Sequence, residues 1–260
     1  MNAEEYRVSH AEASIDSQYG VSVSVAQKKK TLLKFGRNAA VSNSVLTTIM
    51  TLPTGIVNET YVASNLITHF ASATGADTQT LTIEGHTISG SNFTFSTQNV
   101  TLVGQTKTAL TTPLARCTRM YNSNQNKATT LIGNVYVAED VTFTAGVPAS
   151  AVHCMISAGA NQSTKASTTL SSSDYWLVMD FHAHNSEKTS GRIAVVLLEI
   201  REPGGVFRLI EDLSVSAGTT ETIEFEEILV VPKNSDIRLR AIASSNGQEV
   251  GGTIQGYLAN

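Results

Sequence analysis

Short runs in which apolar and polar residues strictly alternate recur along this chain, broken about every ten residues by glycine, proline, asparagine or serine. Successive side chains of a strand point to opposite faces, so such alternation marks strands with one buried and one open face. Residues 80–86 alternate, as do residues 93–103, and Ser89-Gly90-Ser91-Asn92 between them offers the positive-φ tolerance of a tight turn. The pair predicts a hairpin. Residues 134–138 predict a further strand. Residues 175–183 and 192–201 are apolar and rich in β-branched or aromatic side chains. Glu202-Pro203-Gly204-Gly205 then predicts a turn, because proline presets φ and glycine accepts positive φ. Strands are expected over 206–213, 220–231, 235–243 and 251–258. Helical periodicity is weak throughout, and only residues 65–73 suggest a turn of helix.

The expectation is an all-β chain in three parts. Residues 1–45 form an extended N-terminal arm, residues 46–150 a Thr-rich β domain, and residues 151–260 a β-sandwich of jelly-roll-like type. Charged residues make up only 15% of the chain, so its polar surface comes from serine, threonine, asparagine and glutamine. Neutral hydroxyls and amides are less costly to desolvate than ions, which suits a surface covered by partners. It suits a soluble β-protein with exposed Thr-rich faces equally. The net charge of −4 argues against nucleic acid as the main partner. No apolar run reaches the ~18 residues of a membrane-spanning helix, and the polar start Met1-Asn2-Ala3-Glu4-Glu5-Tyr6 does not read as a secretory signal. Cys117 and Cys154 stand far apart in sequence and read as small buried residues, not as a disulfide framework.

Two charge clusters stand out. Residues 27–38 hold Lys28, Lys29, Lys30, Lys34 and Arg37 with no acid, and Leu32, Leu33 and Phe35 lie among them. Lys28, Lys29, Lys30, Leu33, Lys34, Phe35 and Arg37 are the candidate contacts to a capsid or to another subunit, as part of an arm across an acidic neighbour. The bland alternative is a solvated loop carrying one buried strand. Glu221, Glu224, Glu226 and Glu227 surround Ile223, Phe225 and Ile228, as on a strand with an acidic outer face, either solvated or met by a basic arm of a neighbouring copy. For chemistry, Asp180, His182 and His184 share one face of a strand at i, i+2 and i+4, and His153 or Cys154 could join them around a metal. Asn185-Ser186-Glu187 follows directly, which favours an exposed strand end, so no metal and no cofactor is expected. No phosphate-cradling glycine loop or nucleophile elbow occurs, and Trp176 inside an apolar strand reads as core.

Residues 30–38 (Lys-Thr-Leu-Leu-Lys-Phe-Gly-Arg-Asn) resemble a segment near the start of structural proteins of tailed phages. Residues 78–85 and 98–106 resemble their paired strands. Residues 112–116, 119–122, 231–238 and 256–258 are similar too, so the resemblance covers most of the chain from Lys30 onward. It implies a non-enzymatic virion protein of cement or decoration type, on the outer capsid surface, assembled in the host cytoplasm. The implied partners are the major capsid protein and copies of itself, as a homotrimer, with neither nucleic acid nor membrane. A tail or fibre component with a glycan-binding β-sandwich is the alternative. No coiled-coil stalk or long repeat is visible, and aromatic residues make up only 6%. A metal-assisted hydrolase using Asp180, His182 and His184 is the third reading.

Overall fold

A computed structural model describes residues 30–123 and 130–259, and every regular element among them is a β-strand. The chain opens with β1 (Lys30–Val41) and the short β2 (Thr47–Thr48). A first block follows with β3 (Ile67–Ser72), β4 (Thr80–Ser89), β5 (Asn92–Thr101), β6 (Thr108–Leu114), β7 (Arg116–Asn122), β8 (Val135–Glu139), β9 (Phe143–Thr144), β10 (Val147–Pro148) and β11 (Val152–Ile156). The remainder comprises β12 (Ser167–Thr169), β13 (Tyr175–Asn185), β14 (Ile193–Arg201), β15 (Arg208–Ser216), β16 (Thr220–Val231), β17 (Asp236–Ala243) and β18 (Gln248–Ala259). No helix long and apolar enough to cross a membrane occurs among the described residues.

Two sheets form the larger sandwich, ordered β1-β18-β13-β16 and β12-β17-β14-β15, with β2 added beside β17. Counted along the chain as strands one to eight (β1, then β12 to β18), these orders are 1-8-3-6 and 2-7-4-5. That is the double Greek key of a jelly roll. Its core lies between the sheets, where Trp176, Val178 and Phe181 of β13 meet Val196 and Leu198 of β14 and Leu239 of β17. The first block is inserted between the first and second jelly-roll strands. Its sheets β11-β8-β3-β6 and β5-β4-β7 face each other across Phe70, Leu81, Ile83, Leu114, Met120 and Val137.

Both turns expected from glycine chemistry form. Ser89 pairs with Asn92 across Gly90-Ser91, and Gly90 has φ +60°, which suits the first central position of a type II′ hairpin turn. Gly204 has φ +72°, and the Gly205 N–H donates to the Glu202 carbonyl at 3.0 Å. Two expectations need correction. Residues 65–73 hold no helix: β3 lies between β6 and β8 and is hydrogen-bonded to both, so sheet pairing overrides a weak local preference. Residues 30–41, placed in the arm by sequence, form the outer strand of a jelly-roll sheet, paired with β18 from Lys30↔Leu258 to Val41↔Gln248.

Candidate interaction surface

The alternation in β1 sorts its side chains. Leu33, Phe35 and Arg37 are exposed, and the two apolar ones keep 50% and 37% of their surface. Register carries their rows across the outer face of the sheet. Leu33 lies level with Gln255, Asp180 and Glu224, while Phe35 aligns with Thr253, His182 and Thr222. Arg37 shares its row with Gly251, His184 and Thr220, and it pairs with Glu249 at 2.5 Å. Lys30 is exposed at the start of the strand, and Lys28 and Lys29 lie outside the described residues. The sheet therefore carries a cation and two exposed apolar groups at its β1 edge and carboxylates at its β16 edge.

Lys34 points the other way, into a cleft of about 740 Å³ between β1 and the first block, lined also by Glu84, His86, Phe95, Thr118 and Arg119. Burial lowers the Lys34 pKa to about 8; the Glu84 carboxylate opposes this, while Lys165 and Arg119 add to it. Among the described residues, Lys34 Nζ donates to the Thr118 carbonyl at 3.5 Å. Burial, reinforced by the charge on Lys34, likewise takes His86 down to about 4, so its ring is neutral at physiological pH. Its Nδ1 has no hydrogen-bond partner among the described residues, and the ring packs edge-on against Phe93 and Phe95. Sequence reading did not single out His86. Its place inside a strand (β4) offered no motif.

Asp180, His182 and His184 do share one face, as their spacing requires, but they do not enclose a point. His182 Nε2 lies 2.8 Å from Asp180 Oδ1, and its Nδ1 lies 2.7 Å from the Thr222 hydroxyl. The His184 ring lies flush on the Gly251 backbone, so close that a Cβ there would meet it at 1.9 Å. His153 belongs to the first block and pairs with Glu139 at 3.1 Å. Among the described residues, no group of three His, Cys, Asp or Glu side chains could hold a metal ion. The Asp180–His182–Thr222 line has the order of acid, base and hydroxyl. Asp180 and His182 lie on the central strand β13 and Thr222 on the edge strand β16, and the line runs across the outer face of the sheet. Trp176 is fully buried and offers no platform for a sugar.

Sequence reading also missed the buried ions that join the two sandwiches. Arg116 of β7 donates to Asp236 of β17 at 2.8 Å, and Thr169 and Arg201 donate to the same carboxylate. Burial alone would raise the Asp236 pKa, but the hydrogen bonds and charges of these partners hold it below the usual range. Lys165 donates to Glu59 and to the Cys117 carbonyl, both at 2.5 Å. Burial works most strongly against its charge, but Glu59, Cys154 and Cys117 together outweigh it and raise the Lys165 pKa. Beside it lie the buried Cys117 and Cys154 thiols, distant in sequence, whose mutual influence raises the Cys117 pKa and lowers that of Cys154 to about 7. These partners are long-range, and only the Arg or Lys and the acid themselves are visible in sequence.

No protein-family model and no curated protein matches the chain. Solved structures do align with it. For infectious bursal disease virus strain Gx the identity is 12%, covering 90% of this chain and 72% of that one, with a TM-score of 0.24. For the infectious bursal disease virus VP2 subviral particle the identity is 11%, covering 92% and 73%, with a TM-score of 0.22. For the T13 particle of the same virus the values are 10%, 92%, 71% and 0.24. The jelly roll of the present chain is defined by its own strand order, independently of these superpositions.

Proposed function

We propose that this chain is a non-enzymatic structural protein of a virus particle, one that binds the outer capsid shell and stabilises it as a cement or decoration protein. The observation that supports this best is the charge-segregated outer sheet of the jelly roll. Leu33, Phe35 and Arg37 project from one edge beside Lys30, and carboxylates crowd the other. Such a sheet offers complementary patches to neighbours on either side. Jelly rolls serve in capsids, lectins and cupins alike, so the architecture supports the reading without choosing it. The buried Trp176 and the paired Asp180 and His182 favour a binding role over glycan stacking or metal-assisted hydrolysis.

The partners in this reading are the major capsid protein and further copies of the chain, as a homotrimer on the capsid surface. The contacts are Lys28, Lys29, Lys30, Leu33, Phe35 and Arg37; Lys34, expected among them, faces the cleft behind β1 instead. A standard interface buries ~1,600 Å² in total, and a smaller one repeated over a shell gains by multivalency. The test is to add purified protein to shells that lack it, image occupancy, and follow shell rupture on heating. Leu33→Asp with Phe35→Asp should lower occupancy and rupture temperature together. Full occupancy by that variant, or absence of the chain from purified particles, would sink the proposal.

A further inference from the structure

The jelly roll is open along one side. Among the described residues, β15 ends one sheet and β16 ends the other, each with a hydrogen-bonded neighbour on one flank only. Side chains that should close the core there are only half covered: Leu213 of β15 and Ile223, Phe225 and Leu229 of β16 pack on the core but stay partly exposed. Beside them Val206, Leu209 and Ile210 keep 73%, 53% and 39% of their surface. The rim is acidic. These two strands carry Glu211, Asp212, Glu221, Glu224, Glu226 and Glu227 against a single cation, Arg208. Glu221, Glu224 and Glu226 make no ion pair with any described residue. Long strand edges with apolar residues are ready templates for another strand, and natural proteins cover or blunt them.

The chain carries a segment suited to that edge. Val21-Ser22-Val23-Ser24-Val25 alternates strictly, and Lys28-Lys29-Lys30 follows within a strand's length. Three valines on one face would cover the half-exposed apolar groups, and three lysines would answer the carboxylates. Geometry favours a second copy as the owner of that segment. Lys30 begins β1, and β1 and β16 are opposite edges of the same four-stranded sheet, about 14 Å apart at ~4.8 Å per strand. Within one copy, reaching that edge from Lys30 would mean crossing the width of the sheet past Leu177, Ala259, Ile228 and Val230, an apolar cluster in which Leu177 and Ala259 are already buried. Between copies placed side by side, the segment leaving one β1 edge meets the β16 edge of the next.

We propose that residues 21–29 of one copy add as a strand to the open β15–β16 edge of a second copy, head to tail. Val21, Val23 and Val25 cover the apolar seam, and Lys28, Lys29 and Lys30 face its glutamates. A heterologous contact of this kind closes into a ring when its rotation permits. The inference deepens the structural-protein reading by naming one partner surface, and its test needs no virus particle. The full-length chain is followed by sedimentation velocity over a concentration series, in low salt and near 1 M salt. One variant carries Lys28→Glu, Lys29→Glu and Lys30→Glu; the other carries Glu221→Lys, Glu224→Lys and Glu226→Lys. All six changes lie in the proposed segment, at the exposed Lys30 that follows it, or on exposed rim positions, and circular dichroism checks that the fold survives.

The parent should self-associate, and each variant alone should associate roughly tenfold more weakly in low salt, with the difference shrinking near 1 M salt. An equimolar mixture of the two variants should recover association, because the acidic segment of one then meets the basic rim of the other. A parent that stays monomeric throughout overturns the proposal, as does a mixture no stronger than its components. Binding of the variants to shells is measured separately, so loss of self-association with retained shell binding sinks this inference and leaves the particle reading standing.

Discussion

Replacing Lys34 with methionine should stabilise the protein at neutral pH, although it removes a lysine from the most basic stretch of the chain. The side chain points into the cleft behind β1, where among the described residues it donates to a carbonyl 3.5 Å away. Burial takes its pKa from the usual 10.5 to about 8, with the Glu84 charge opposing and Lys165 and Arg119 assisting. Each unit corresponds to about 1.4 kcal/mol, so the folded state bears at most about 3 kcal/mol for holding this charge, and less because the side chain still touches solvent. The pH dependence has a definite sign. Below pH 8 both states hold the proton and the penalty is complete. Between pH 8 and 10.5 the unfolded chain keeps a proton that the folded chain has released, so wild-type stability rises with pH. Lys34→Met should therefore exceed wild type by about 1–3 kcal/mol at pH 7, and that advantage should decay between pH 8 and 10.5. Urea unfolding followed by Trp176 fluorescence at pH 7, 9 and 10.5 measures both. Any constant part of the gain belongs to methionine packing. A variant less stable than wild type at pH 7, or a difference that does not change with pH, would refute the reasoning.

Asp236→Asn should cost about 3–5 kcal/mol, because the buried Arg116 loses its counter-ion, and the urea midpoint should fall accordingly. Since the Asp236 pKa is lowered on folding, its contribution is present above the ordinary carboxylate range and is lost as pH falls through the lowered value; acid titration of wild type should show that loss and the variant should not. Gly36→Ala should destabilise by more than about 1 kcal/mol, since the new methyl would lie 2.1 Å from the Ile49 carbonyl oxygen and 2.3 Å from the Ala166 nitrogen. A thermal midpoint equal to wild type would show that β1 does not pack against Ile49 and Ala166. Elemental analysis should find no stoichiometric zinc, and His182→Ala should shift stability by less than about 1 kcal/mol, as its Asp180 and Thr222 contacts lie on the outer face.

Elements made by near neighbours are legible in the sequence. The β4–β5 hairpin and the turn at Glu202–Gly205 follow from glycine, proline and alternation, all read within a dozen residues. The shared face of Asp180, His182 and His184 also follows from spacing alone, yet its chemistry does not. His182 is taken up by Asp180 and Thr222, and Thr222 becomes its neighbour only through the pairing of β13 with β16. His86 and the Cys117–Cys154 pair are opaque for the same reason, since burial and partners across a cleft leave no periodic trace.

Sequence by itself determined that this chain folds as strands joined by tight turns, because the two-residue repeat and the turn chemistry act locally. Tertiary structure alone decided which strands share a sheet. Lys30–Val41 joins β18 across more than two hundred residues, through a register in which Gly36 meets Gly252 and fits against Ile49 and Ala166. Its inward side carries Lys34 and Asn38 because it faces a cleft and a carbonyl in place of the core, which blurred the alternation that would have marked it as a strand. Long-range pairing is selected by complementary shape, burial and charge over the whole molecule, and none of those quantities belongs to a single stretch of chain.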